Sequence, residues 1–186
     1  MNQAAWAELD ERYRPILKGF ARRAGYSQDD ATELAQEALG RFIGAFRSGG
    51  YKRDHGRLRS WMIGIVRNCM HEHERDAARR AQVFGQSVVD RLPGPDELAT
   101  MWDAECRASI LRRALDCLHT ESLFAPGTIR AFEMVALEHQ PPKTVSETLG
   151  MTLNDVYVSK HRCLRRLGEI VTKLEQAYEQ DPRGET

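Results

Sequence analysis

The sequence predicts an all-α protein: two small helical domains joined by an acidic linker, with a helix-turn-helix in the second. Three observations carry this prediction. Apolar residues recur at three- and four-residue steps through most of the chain. No segment alternates as a strand does. A proline-containing acidic stretch interrupts the helical pattern near the middle. The chain has 186 residues, 41% hydrophobic and 29% charged, which is a globular balance. Two domains of roughly 80 residues each are small but able to form a core.

In the first element Trp6, Leu9, Tyr13, Ile16, Leu17, Phe20 and Ala24 share a face. Pro15 lies inside this pattern and predicts a kink or break, because proline lacks the amide hydrogen and crowds the preceding turn. Gly25 closes the helix. Ser27 then predicts an N-cap, with Asp29 and Asp30 in the first turn, where the helix dipole favours acids. Leu34, Ala35, Ala38, Leu39, Phe42, Ile43 and Phe46 stripe the second helix, which Ser48-Gly49-Gly50 ends. Residues 51–57 form a basic loop. Leu58, Trp61, Met62, Ile65, Val66, Cys69 and Met70 make a third stripe, continued in polar form to about Arg80.

Residues 82–104 contain Pro93-Gly94-Pro95 and carry a net charge of −3, and are expected to be the linker. A second helical group begins near Ala104, with Cys106, Ile110, Leu111, Ala114, Leu115 and Leu118 on one face. Ala125-Pro126-Gly127-Thr128 is a turn and cap. A helix with Phe132, Val135 and Ala136 follows, and Pro141-Pro142 precedes two final helices. The expected division is a domain over 1–81, the linker 82–104, a domain over 105–178 and a tail over 179–186.

Several function classes are set aside. No apolar run reaches the roughly 18–20 residues of a membrane span, so the protein is expected to insert in no membrane. The N-terminus lacks a basic region followed by an apolar stretch, so no secretory signal is read there. Cys69, Cys106, Cys117 and Cys163 are scattered, which fits a reducing cytoplasm better than a disulfide scaffold. On a helix Cys69 and His73 share a face while His71 points elsewhere, and no fourth ligand is evident; no metal or other cofactor is expected. There is no phosphate-binding glycine loop and no nucleophile with a readable base and acid, so no enzymatic activity is expected.

The most specific segment is 143–167. A short helix carrying Val145 and Leu149 ends at Gly150, which tolerates the left-handed backbone of a tight turn. Thr152 caps the next helix. Val156, Cys163, Leu164, Leu167, Ile170, Val171 and Leu174 form its expected buried stripe. Asn154, Val158, His161, Arg162 and Arg165 face outward, with Ser159 and Arg166 on the flank. In this layout the second helix enters the major groove. Arginine pairs bidentately with guanine and asparagine with adenine, while the later arginines suit phosphates.

With these motifs in order, the chain resembles the extracytoplasmic-function (ECF) sigma factors, the minimal two-domain specificity subunits of bacterial RNA polymerase. Asp30-Ala31-Thr32-Glu33-Leu34-Ala35-Gln36-Glu37 resembles the acidic region 2.2 signature of that family. Leu58 to Asn68 resembles its Trp-Leu-x-x-Ile-Ala-x-Asn core of region 2.3, and the helix-turn-helix resembles region 4. Two departures stand out: Ser146 occupies a position usually held by alanine, and Met70 to Arg75 lacks the common Asp-x-x-Arg ending.

The resemblance implies several partners and surfaces. Asp30, Glu33, Gln36 and Glu37 would contact the clamp coiled coil of the largest core polymerase subunit. The loop 51–57 and the helix after it would hold the melted −10 promoter strand, a task that needs cations for phosphates and a pocket for an extruded base. Tyr51, Lys52, Arg53 and Arg57 supply such groups in the loop; Arg67, Asn68, His71, Arg75, Arg79 and Arg80 extend them along the helix. Trp61 lies on the apolar stripe and is assigned to the core. Thr152, Asn154, Val158, Ser159, His161, Arg162, Arg165 and Arg166 would meet the −35 element. The linker would thread toward the polymerase active centre, its charge mimicking nucleic acid. An anti-sigma factor that covers these surfaces is also implied.

A second class of function competes: a stand-alone helix-turn-helix regulator whose N-terminal domain dimerises or binds a ligand. Such a dimer would bind palindromic sites about one helical turn apart. The zero net charge, 27 basic against 27 acidic residues, decides nothing between them. It is the sum of +4 in residues 1–81, −3 in 82–104 and −1 in 105–186, so basic surfaces persist locally.

Overall fold

The computed structural model of the protein describes residues 3–49, 58–83, 92–121 and 123–179. These form seven helices: α1 (Gln3–Arg23), α2 (Gln28–Arg47), α3 (Leu58–Val83), α4 (Pro95–Thr120), α5 (Pro126–Ala136), α6 (Pro142–Leu149) and α7 (Leu153–Glu179). No strand occurs among the described residues. The chain divides into two compact units, Met1–Ser109 and Ile110–Gln180.

The first unit is built by α1, α2, α3 and the first half of α4. Ile16, Leu17, Phe20, Leu34, Phe42 and Val66 lie at the centre of its core, each almost wholly buried. Of the kink or break expected at Pro15, the break does not occur: α1 runs continuously through it. Pro15 faces solvent while Ile16 and Leu17 are buried, so packing holds the helix through the lost amide bond. Gly25, at φ +96°, makes the turn into α2. Ser27 caps α2 as its sequence predicts, accepting from the Asp30 amide at 3.1 Å.

The boundary between linker and second helical group lies elsewhere than the sequence suggests. Helix starts at Pro95, so residues 95–104 are helical and not linker; residues 84–91 lie outside the described residues. Proline is favoured at the first helical position. Asp96 and Glu97, read as linker charge, occupy the first turn of α4. Leu98 and Trp102 join the first unit's core at 1% and 2% exposure, Trp102 edge-on to Phe20 with centroids 5.8 Å apart. Arg59 grips Asp103 through two bonds, 2.7 and 2.8 Å, and also donates to the Ala99 carbonyl. The buried carboxylate of Glu105 accepts from Arg23 and lies over Gly19, where a β-carbon would overlap its Oε2.

The second unit packs α5, α6, α7 and the rest of α4 around two apolar clusters. Ala114, Leu118, Phe132, Cys163, Leu167 and Ile170 make one; Ala131, Met134, Val145 and Val156 make the other. Leu111 and Leu164, expected in buried stripes, are each 45% exposed. Leu164 stands a quarter-turn off the buried line of α7, and Ser159 lies closer to that line.

Candidate nucleic-acid interface

The second unit contains the expected helix-turn-helix, α6–turn–α7. Gly150 adopts φ +62°, ψ +29°, the left-handed C-cap that ends α6. Ser146 braces the turn: its hydroxyl donates to the Met151 carbonyl at 2.6 Å. Thr152 and Asp155 close a reciprocal cap. The Asp155 amide donates to Thr152 Oγ1 at 3.1 Å, while the Thr152 hydroxyl and amide donate to Asp155 Oδ2 at 2.6 and 3.3 Å. Val145 and Val156, both fully buried, join the two helices across the turn.

This frame fixes what α7 presents. Asn154, Val158, His161, Arg162 and Arg165 are exposed, as expected, and lie on one broad face. The Arg162 guanidinium sits over the Phe124 ring, 5.4 Å from its centroid, a cation–π contact that restricts its orientation. Arg162 and Arg165 line a shallow recess with Leu123 and Phe124. Three expected contacts change meaning. Thr152 is exposed, but its hydroxyl is committed to the cap. Ser159 is 5% exposed and turned to the core, so it offers nothing to a groove. Arg166 donates to Glu121 at 2.7 and 2.6 Å and to Glu169 at 2.8 Å, which makes it a strut within the unit. Those carboxylates raise its pKa, and Arg166 holds Glu121 below the usual carboxylate range.

Sequence reasoning overlooked Leu153 and Tyr157, large apolar residues that α7 leaves exposed. The signal was available: neither falls on the line of Val156, Cys163 and Leu167.

In the first unit the four α2 residues assigned to polymerase docking share a surface. Glu33 and Gln36 are open to solvent. Asp30 accepts from the Ser27 hydroxyl at 2.6 Å and lies 3.6 Å from His73 Nε2 on α3. The Ser27 bond first, and His73 second, hold the Asp30 carboxyl below its ordinary value against desolvation. Glu37 accepts from Arg41 at 2.6 Å, and Arg41 reaches across to both oxygens of Glu72 on α3. The Arg41 bond depresses the pKa of Glu72. Two of the four docking residues are therefore tied, directly or through Arg41, to α3.

On α3, Asn68, His71, Glu72 and Arg75 line one shallow recess, at i, i+3, i+4 and i+7. Arg67 is exposed beside them, and Arg79 is exposed 3.4 Å from Asp76. Trp61 is half-buried against Phe42, centroids 5.1 Å apart. Tyr51, Lys52, Arg53 and Arg57 lie outside the described residues, as does the Arg80 side chain. Among the described residues no cluster of three or more His, Cys, Asp or Glu is placed to hold a metal ion. All four cysteines are free, and burial pushes the thiols of Cys69 and Cys106 up to about 11 and about 12.

The family model of sigma-70 region 2 matches residues 9–80, the span of α1 to α3. No curated protein sequence matches the chain. Among solved structures it is similar to the sigma factor RpoE in complex with the anti-sigma factor NepR from Bartonella quintana. The match is 16% identical, has a TM-score of 0.38, and covers 89% of this chain and 96% of that one. Residues 9–80, within the span of α1 to α3, thus match sigma-70 region 2, while among the described residues of the second unit α6 and α7 form a helix-turn-helix.

Proposed function

We propose that this chain is an RNA polymerase sigma factor of the ECF type and that its three surfaces divide the work of initiation. The α2 face with Asp30, Glu33, Gln36 and Glu37 docks on the clamp of the largest core polymerase subunit, where acidic and amide groups complement a basic coiled coil. The loop before α3, with Arg67, Asn68, His71, Arg75 and Arg79, holds the melted −10 strand. Asn154, Val158, His161, Arg162 and Arg165 read the −35 element as duplex. The segment before Pro95 is what remains to thread toward the active centre. An anti-sigma partner covering these faces belongs to the same reading, as do a cytoplasmic site of action and the absence of enzymatic chemistry.

One observation carries the proposal: a region 2 match in one unit coexists with an exposed cationic reading helix in the other. A stand-alone regulator explains the second but not the first. Run-off transcription with purified core polymerase tests it. The chain is expected to direct transcripts from discrete promoters, and Arg162→Ala with Arg165→Ala is expected to abolish dependence on the −35 element while core binding persists. Absence of any promoter-specific transcript across genomic fragments refutes the reading.

A further inference from the structure

Leu153, Tyr157 and Val158 are 45%, 54% and 43% exposed in the first two turns of α7, whereas Val156 among them is fully buried. At about 100° per residue, Tyr157 and Val158 fall on either side of the line through Asn154, His161 and Arg165. Large apolar side chains in water add nothing to the fold, and grouped exposure marks a surface that meets a partner. The neighbouring groups specify that partner. An amide, an imidazole and two guanidinium groups on the same face suit a polyanion with hydrogen-bonding edges. The apolar group such a partner displays in its major groove is the C5-methyl of thymine. Thr152 and Asp155 fix the start of the helix, so the two side chains leave a rigid base.

We propose that Tyr157 and Val158 read thymine methyl groups in the −35 element, flanking the base edge that Asn154 addresses. The inference rests on the reading of α7 as the −35 helix and adds its specificity: promoter choice depends on methyl contacts as well as hydrogen bonds. Val158 is short and reaches only a methyl close to the helix axis. Tyr157 is longer and spans a neighbouring step.

Replacing thymine by deoxyuridine deletes the methyl and leaves every hydrogen-bonding group, so the test need not perturb the protein. Holoenzyme formed from the full chain and core polymerase selects a −35 element from a randomised duplex, and each thymine of the selected element is then replaced singly. At one or two positions binding is expected to weaken about three- to fivefold, the worth of one buried methyl group. In Val158→Ala or Tyr157→Ala holoenzyme the uridine penalty at the matching position is expected to vanish, with helix content unchanged. A selected element without thymine on either strand, or one whose thymines all tolerate uridine, overturns the inference and leaves the apolar pair to a protein partner. If no −35 preference emerges and Arg162→Ala with Arg165→Ala changes nothing, the −35 reading of α7 itself fails, a result distinct from the first.

Discussion

The two units treat surface charge in opposite ways. On α2 and α3 of the first unit, acids assigned to docking are already engaged: Asp30 with Ser27 and His73, Glu37 with Arg41, and Arg41 with Glu72. On α7 of the second unit, the side chains of Asn154, His161 and Arg165 make no hydrogen bond or ion pair among the described residues. The one outward arginine that is tightly paired, Arg166, has left the reading face to brace the unit. A surface whose charges are paired internally must exchange partners on binding, which lowers net affinity but sharpens the choice of partner. A face with open charges attracts any polyanion and leaves selectivity to short-range contacts. If the two faces serve as proposed, docking and DNA reading place their specificity at different steps.

The largest expected effect tests how the first unit is held. Trp102→Ala removes the bulkiest wholly buried side chain and is expected to cost about 3–5 kcal/mol. Trp6, Trp61 and Trp102 are the chain's three tryptophans and all belong to the first unit, so fluorescence of the remaining two reads that unit by itself. Amide exchange in α5 and α7 reads the second, where no change is expected. Equal loss in both units would show that they do not fold as separate bodies. Gly19→Ala follows at about 1–3 kcal/mol, because a β-carbon there displaces the buried Glu105 carboxylate from Arg23.

A contrast within α7 comes next. Arg166→Ala is expected to lower the melting temperature of the second unit modestly and to leave −35 discrimination intact. Arg162→Ala with Arg165→Ala is expected to do the reverse. Acid titration should report the same strut. The folded pKa of Glu121 is depressed by Arg166, so its contribution is complete above the usual glutamate value of 4.5 and disappears as pH falls through the lower folded value. In Arg166→Ala the acid side of the stability profile should flatten. An unchanged profile would mean that the pair contributes nothing to stability.

Much of this was legible in the sequence, and the exceptions share a cause. Ser27, Gly150 and Thr152 are local signals, and each does what its chemistry predicts. The stripes of α2 and α3 are regular and map onto buried positions, except that Ile43, Trp61 and Ile65 are only half-buried. Pro93-Gly94-Pro95 with nearby acids has the composition of a linker and equally that of a helix start; only the burial of Leu98 and Trp102 decides between them. Arg166 and Ser159 illustrate the same limit at the site. Their types suit DNA, but Glu121 lies 45 positions from Arg166 in the chain and its partnership leaves no periodic trace. Long-range pairing, unlike capping and periodicity, is not written locally.

The smallest expected effect bears most directly on the comparison between the faces. Arg41 joins Glu37 of the docking face to Glu72, which lines the recess with Asn68, His71 and Arg75. Its partners are 41% and 49% exposed at their side chains, so solvent screens both pairs and the fold should lose little in Arg41→Ala. Binding should respond differently. Glu37 freed from Arg41 no longer exchanges one cation for another when it meets a basic partner, so affinity for core polymerase is expected to rise about two- to threefold. Glu72, freed at the same time, sets an unpaired carboxylate beside Arg75 and the −10 phosphates, so open-complex formation is expected to weaken by a similar factor. Opposite changes in these two measurements, in one variant with an unchanged melting temperature, would show that internal pairing sets the balance between docking and melting. A parallel fall in both would reduce Arg41 to a helix-to-helix brace and erase the difference drawn between the two units.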